Sequence, residues 1–74
     1  MVTSAEKIQQ VENSFTYHAP KGDQPDRYVK LRDTAKELAK MILELTPMSR
    51  EQSLAITHLE DSIMWANKAI ACNE

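Results

Sequence analysis

Aromatic and basic side chains occur in the first half of the chain at a spacing that suits a small anionic ligand. Arg32, Lys36 and Lys40 recur every four residues, so a helix would place them in one basic stripe. Tyr17 and His18 precede this stripe on a proline-containing segment. An aromatic ring can stack on a nucleobase, and a guanidinium can make a bidentate contact with a phosphate. The pattern is therefore typical of a site for a nucleotide-like ligand.

The same side chains also have a purely structural interpretation. Glu37 and Lys40 form a pair at helical spacing, so the basic stripe could be a solvated helix face. Tyr17 could equally be a core residue. Spacing alone favours the solvated face, and the tyrosine just ahead of the stripe shifts the balance toward binding.

Other kinds of chemistry lack support in the sequence. His18 and His58 have no partner at metal-ligand spacing, and no glycine-rich phosphate loop or nucleophile elbow is present. Cys72 stands near the carboxyl end of a predicted helix, which is an unfavourable place for a thiolate nucleophile. We therefore expect no enzymatic activity, no metal ion and no cofactor.

Charge and length limit the classes of protein further. Nine Lys and Arg against eleven Asp and Glu give a net charge of −2, which disfavours binding to DNA or RNA polymers. One cysteine in 74 residues excludes an internal disulfide framework. No run of 18 apolar residues occurs, and the N-terminus lacks the order of a signal peptide. We therefore expect no membrane partner and a cytoplasmic location.

The elements that must position these residues are all predicted to be helices. We predict an all-α fold in one helical-hairpin domain over residues 1–74, with a short helix over 3–14, a linker over 15–23 and long helices over 24–46 and 49–72. The single glycine and the low aromatic content argue against a β domain, which needs many turns.

Helix-capping residues mark where each predicted helix begins. Thr3 with Glu6 has the spacing of a capping box, and Asp23 is the expected cap of the first long helix. Ser49 with Gln52 has the capping-box spacing at the start of the second long helix. These signals set the three predicted N-termini.

Apolar residues on the two long helices recur at alternating spacings of three and four, as in a heptad seam. They are Tyr28, Leu31, Ala35, Leu38, Ile42 and Leu45 on the first, and Ile56, Leu59, Ile63, Ala66 and Ile70 on the second. The short connection Thr46-Pro47-Met48 makes the two helices antiparallel neighbours, so we predict a helical hairpin.

Further apolar residues lie away from this seam. Leu54 and Trp65 fall on the opposite side of the second long helix. They could hold the N-terminal helix, or they could be covered by other copies of the chain. Because so short a chain has little core of its own, we favour self-association to a homo-oligomer.

The chain resembles the phage anti-CBASS cyclic-nucleotide sponge family, whose hairpin is shared with a Thoeris-inhibiting sponge family. The runs that carry the resemblance are Phe15–Pro20, Arg27–Tyr28, Arg32–Lys36 and Ser49–Ala71. Within the last run, Met64-Trp65-Ala66-Asn67 is distinctive. The resemblance covers about residues 15–73, which is most of the chain.

The resemblance implies a phage anti-defence protein that sequesters immune second messengers without degrading them. Members of the family assemble into compact homohexamers. They hold cyclic dinucleotides such as cyclic GMP-AMP (cGAMP) between paired protomers, and some also hold cyclic trinucleotides at separate sites. The host effector, deprived of its messenger in the host cytoplasm, then stays inactive.

Individual site residues follow from the match. Tyr17 corresponds to the base-stacking tyrosine of the family motif, Arg32 to a basic phosphate contact and Thr34 to a nearby polar contact. Lys36 is added because it belongs to the basic stripe, and His18 is a candidate for lining a second site.

One position departs from the family pattern. Family members often carry an arginine near the end of the second long helix, where this chain has Cys72 followed by Asn73. If that arginine serves the trinucleotide site, the second site is less well supported in this chain.

Three other functions compete with the sponge interpretation. A small helical adaptor would bind a host protein through an exposed apolar helix face. An enzyme would degrade the messenger, and a structural coiled-coil component of a virion would form open assemblies.

Overall fold

The computed structural model describes residues 4–74, and the regular structure of these residues is entirely helical. The elements are α1 (Ala5–Ser14), α2 (Gln24–Leu45) and α3 (Arg50–Asn73). The all-α prediction of a short helix followed by two long ones is therefore confirmed. In the part of the chain so described, no helix has the length and apolar character needed to cross a membrane.

The N-termini of α1 and α3 are capped by serine side chains. The Ser4 hydroxyl accepts a hydrogen bond from the backbone N–H of Lys7 at 3.2 Å, which makes Ser4 the N-cap of α1. The predicted partner of Glu6, Thr3, lies outside the described residues. The Ser49 hydroxyl accepts from the backbone N–H of Gln52 at 3.1 Å, so the predicted cap of α3 is confirmed.

The predicted side-chain cap of α2 is wrong. Asp23 stands at the N-cap position, but its carboxylate makes no capping hydrogen bond. Its backbone has φ −88° and ψ 4°, whereas a capping side chain normally needs an extended backbone. The carboxylate instead lies 3.3 Å from the Nε of Arg27, one helical turn further along.

The turn between α2 and α3 is closed by the side chain of Gln52. This side chain donates through Nε2 to the carbonyl oxygen of Thr46 at 3.1 Å and to its hydroxyl at 3.0 Å. It does not return to the backbone of Ser49, as the second half of a capping box would require. Gln52 therefore fixes the hairpin connection as well as the start of α3.

Helices α2 and α3 pack along each other through half-buried apolar residues. On α3 these are the predicted Ile56, Leu59, Ile63, Ala66 and Ile70. On α2, however, Leu38 and Leu45 are exposed and Ala39 is half-buried. A straight helix has 3.6 residues per turn and drifts away from a 3.5-residue repeat, so the contact line moves from position 38 to position 39.

The described residues form a single layer of helices. Its dimensions are 49 × 37 × 13 Å, and the shortest is close to the ~10–12 Å diameter of one α-helix. Within residues 4–74 no apolar side chain is fully buried. Large apolar side chains therefore remain exposed on both faces, among them Val29, Met41, Leu43, Met48, Leu54, Met64 and Trp65.

Helix α1 joins the hairpin at the far end from the turn. The side-chain amide of Asn13 donates to the carbonyl oxygen of Cys72 in the last turn of α3 at 3.0 Å. Trp65 lines the groove between α1 and α3, whereas Leu54 does not, and Trp65 still has 60% of its surface exposed. The apolar residues Ile8 and Val11 of α1 are exposed as well.

Candidate functional site

The segment between α1 and α2 presents Tyr17 to solvent. We refer to residues 15–23 as the linker. The hydroxyl of Thr16 donates to the carbonyl oxygen of Glu12 at 2.6 Å, at the end of α1. Gly22 has a φ of +58°, a left-handed conformation that glycine adopts at little cost, and it turns the chain into α2. Between these two points the Tyr17 side chain is 83% exposed.

The first half of the linker is attached through His18. Its Nε2 lies 2.9 Å from the carbonyl oxygen of Asn13, and because a carbonyl only accepts, Nε2 carries the proton and donates. Asn13 in turn donates to Cys72, so these contacts tie the linker to both α1 and α3. One of the two ring nitrogens of His18 is thus used within the chain.

The second half of the linker is attached through Gln24 and Arg27. Gln24 is only 4% exposed, and its side-chain oxygen accepts from the backbone N–H of Lys21 at 3.1 Å. The Arg27 guanidinium makes a bidentate contact with the Glu74 carboxylate, with Nη1 2.8 Å from Oε2 and Nη2 bonded to Oε1. Hydrogen bonding from Arg27 holds the pKa of the Glu74 carboxyl below its usual value, and the pKa of Arg27 is raised in return.

The linker and the end of α3 enclose a small cavity of about 260 Å³, which we call the linker cavity. It is lined by Tyr17, His18, Ala19, Lys21, Gln24, Ala71 and Glu74. It therefore combines an exposed aromatic ring, an ammonium group and a carboxylate that is already paired. The predicted site residues Tyr17 and His18 lie together here.

Two other predicted site residues, Arg32 and Lys36, line a different cavity of about 330 Å³ between α2 and α3, the hairpin groove. The Arg32 side chain is 71% exposed, and its Nε is 4.0 Å from the nearest carboxylate oxygen of Asp33. At that distance the contact is too long for a hydrogen bond, so the guanidinium is available to a ligand. The rest of this groove is apolar apart from Glu60.

Thr34 lies in neither cavity. It lines a third groove of about 450 Å³ with Arg27, Lys30, Leu31 and Ile70. Since each helical residue turns by ~100°, Thr34 is about 200° around the helix from Arg32. A single copy of the chain therefore does not bring Tyr17, Arg32 and Thr34 together.

Several residues at these sites were not predicted from the sequence. Arg27 and Glu74 are 47 positions apart and Asn13 and Cys72 are 59 apart, so no local pattern signals either pair. The sequence contains a local signal only for the contact between Asp23 and Arg27, which have the i, i+4 spacing of a helical ion pair. Within residues 4–74, no group of three or more His, Cys, Asp or Glu side chains is arranged to hold a metal ion.

Comparison with known proteins gives one positive result. A family model described as "Acb2/Tad1, hairpin domain" matches residues 7–71, a span that includes all of α2 and nearly all of α1 and α3. No curated protein and no solved structure matches the chain significantly. The match confirms the family resemblance found from the linker and hairpin motifs.

Proposed function

Because the chain belongs to the Acb2/Tad1 hairpin-domain family, the family of anti-CBASS and anti-Thoeris sponge proteins, we propose that it sequesters cyclic oligonucleotide messengers of host defence. The proposed ligands are cyclic dinucleotides such as cGAMP, with cyclic trinucleotides as a second class. The protein binds them and releases them intact, so it is not an enzyme. It acts in the cytoplasm of the infected host cell, where a CBASS effector then stays inactive.

The observation that carries this proposal is the pair of free recognition groups. Tyr17 exposes 83% of its surface, and the side chain of Arg32 exposes 71%. Neither is used in the internal packing of the protomer. A stacking ring and a phosphate-binding guanidinium are the two groups that a nucleotide site needs.

The shape of the protomer supports a site shared between copies. A single helical layer, in which no apolar side chain of residues 4–74 is fully buried, gains burial by pairing with another copy, and we propose a homohexamer built from such pairs. A two-fold interface would present Tyr17 and Arg32 twice. A cyclic dinucleotide is itself nearly two-fold symmetric, with two bases and two phosphates, so one ligand can meet equivalent groups from two protomers.

The positions of the other predicted site residues support a ligand contact to different degrees. Lys36 lies beside Arg32 in the hairpin groove and would add positive charge for the same phosphates. His18 lies beside Tyr17 but spends one ring nitrogen on Asn13. Thr34 lies in a separate groove, so its contact to the same ligand requires a different protomer or a second ligand site.

A release experiment tests sequestration. The protein is incubated with cGAMP, free ligand is measured, and the mixture is then heated to denature the protein. A sponge depletes the free ligand and returns it intact after heating. Recovery of a hydrolysed product would show an enzyme instead, and no depletion would remove the proposal.

Native mass spectrometry with and without cGAMP tests the assembly. We expect one mass of six chains that takes up whole numbers of ligand. A ladder of open-ended masses would contradict the closed assembly and would favour a structural coiled-coil role.

A helical adaptor is the second candidate function. The observation that favours it is the set of exposed apolar residues near the hairpin turn, including Leu43, Leu45 and Met48. An adaptor would bind a host protein through this face and would not deplete cyclic nucleotides. The release experiment therefore separates the two functions.

A further inference from the structure

We propose that Arg27 is a positioning residue for the ligand site, acting through Glu74 to fix the linker in the shape that presents Tyr17. The proposal rests on the proposed function for its ligand, cGAMP. It assigns no ligand contact to Arg27 itself, because both terminal nitrogens of its guanidinium are bonded to Glu74 and its Nε faces Asp23.

The linker needs such a tie because its own backbone has little to hold it. Within the described residues, no backbone-to-backbone hydrogen bond involves Tyr17, His18, Ala19 or Pro20. A segment without a hydrogen-bond ladder samples many conformations unless side chains fix it. Ordering such a segment when the ligand binds costs free energy. An exposed ring on an unfixed segment would therefore contribute less to the affinity for the ligand.

Arg27 closes the far end of this segment. The Arg27–Glu74 contact joins the first turn of α2 to the end of α3, and Gln24 in the same turn of α2 accepts from the backbone of Lys21. At the near end, the His18 ring donates to the carbonyl oxygen of Asn13, and the Asn13 side chain donates to the carbonyl oxygen of Cys72. The linker is thus held between two sets of contacts, one ending on Cys72 in the last turn of α3 and the other on Glu74, the residue that follows α3.

The charge of Glu74 makes the positioning role distinguishable from a direct electrostatic role. Glu74 lines the linker cavity, where an anionic ligand would approach Tyr17. If Glu74 acted only through its charge, Glu74→Ala would remove repulsion and strengthen binding of cGAMP. If it positions the linker with Arg27, the same change weakens binding.

A double-mutant cycle of Arg27→Ala, Glu74→Ala and the double variant tests the proposal with two measurements. Linker exchange, measured without ligand, is the hydrogen exchange of the Lys21 amide, which donates to the side chain of Gln24. The affinity for cGAMP is measured by calorimetry. We expect each single variant to raise linker exchange at least tenfold and to bind cGAMP at least fivefold more weakly. The double variant should be no worse than either single one, because both remove the same contact.

Matched controls remove the same charges at the opposite end of the hairpin. These are Arg50→Ala, at the start of α3, and Glu44→Ala, near the end of α2. Both should leave linker exchange unchanged, and circular dichroism should show the same helix content in every variant. Arg27→Lys, which keeps the charge but loses the bidentate geometry, should be intermediate in linker exchange.

Three results would overturn the proposal. Unchanged linker exchange in Arg27→Ala would show that the tie does not hold the linker. Faster exchange with unchanged affinity would show that linker order does not matter to binding. A loss of affinity in Arg27→Ala together with a gain in Glu74→Ala would show direct ligand contact. If the unaltered protein binds no cGAMP, the proposed function fails, and linker exchange still decides whether Arg27 fixes the linker.

Discussion

Replacing Tyr17 with alanine is expected to weaken cGAMP binding while leaving the folded protein intact. The side chain is 83% exposed in the single chain, so its removal takes away little internal packing. Substitutions at such surface positions usually change stability by no more than ~0.5 kcal/mol. The effect should therefore be confined to ligand binding.

The size of the effect follows from the number of rings involved. Stacking of an aromatic ring on a base contributes about 1–3 kcal/mol. In the proposed two-fold site, two copies of Tyr17 would stack on two bases, so the variant should lose roughly 2–6 kcal/mol of binding free energy. Since ~1.4 kcal/mol is a factor of ten, the affinity should fall at least tenfold.

Isothermal titration calorimetry measures this loss, with thermal unfolding of the same samples as the test of folding. Tyr17→Phe keeps the ring and should retain most of the affinity. Phe15→Ala is the matched control, since Phe15 is an aromatic residue in the same linker and is 87% exposed. It should bind like the unaltered protein. A folded Tyr17→Ala variant with affinity within threefold of the original would refute the assignment of Tyr17 to the site.

Three further predictions concern the phosphate contact, the linker turn and acid. Arg32→Ala should also weaken cGAMP binding at least tenfold and make the affinity less dependent on salt concentration, because a charged contact is lost. If calorimetry showed the same salt dependence as in the unaltered protein, Arg32 would not be a phosphate contact. Gly22→Ala should destabilise the linker turn by about 1 kcal/mol, because alanine is strained at a φ of +58°; equal denaturation midpoints would contradict this. The pKa of Glu74 is lowered in the folded protein, so its tie is fully present above the ordinary carboxyl pKa and is lost as the pH falls through the lowered value. NMR spectra of the linker should therefore show a change at acid pH, below the ordinary carboxyl pKa of about 4.3, and Glu74→Gln should remove that change.

Local signals in the sequence were sufficient to predict the helices. Ser49 followed by Gln52 predicted the start of α3, because a capping hydrogen bond spans only three residues. The seam on α3 was also predicted, since each apolar position follows from helical periodicity. Leu38 was predicted on the α2 seam and is exposed, because a strict heptad pattern ignores the drift of a straight helix.

The site was only partly predictable because its geometry depends on non-local contacts. Tyr17 and Arg32 were identified by residue type, and their roles remain predictions. The contacts that shape the linker, Arg27 with Glu74 and Asn13 with Cys72, join residues that are far apart in the sequence. No spacing rule reaches across 47 or 59 positions, so only the folded hairpin shows them.

The separation of Thr34 from Arg32 follows from the sequence alone. Side chains two positions apart on a helix differ in direction by ~200°, so they point to nearly opposite sides. The expectation that both contact one ligand came from the family resemblance, and helical geometry limits it to contacts from different protomers or to two ligands. Residue type alone therefore overstates how closely site residues cluster.

The order of the two long helices has a consequence for how quickly the protein becomes active. Helices α2 and α3 follow each other directly through residues 46–49, so the pairing that forms the hairpin joins neighbouring segments of the chain. Helical folds with such local contacts typically form in about microseconds to milliseconds. Association of separate chains depends on their concentration and is slower. If the site lies between protomers, the delay after synthesis is set by the number of copies in the cell, and doubling the expression level would shorten it more than any gain in the folding rate.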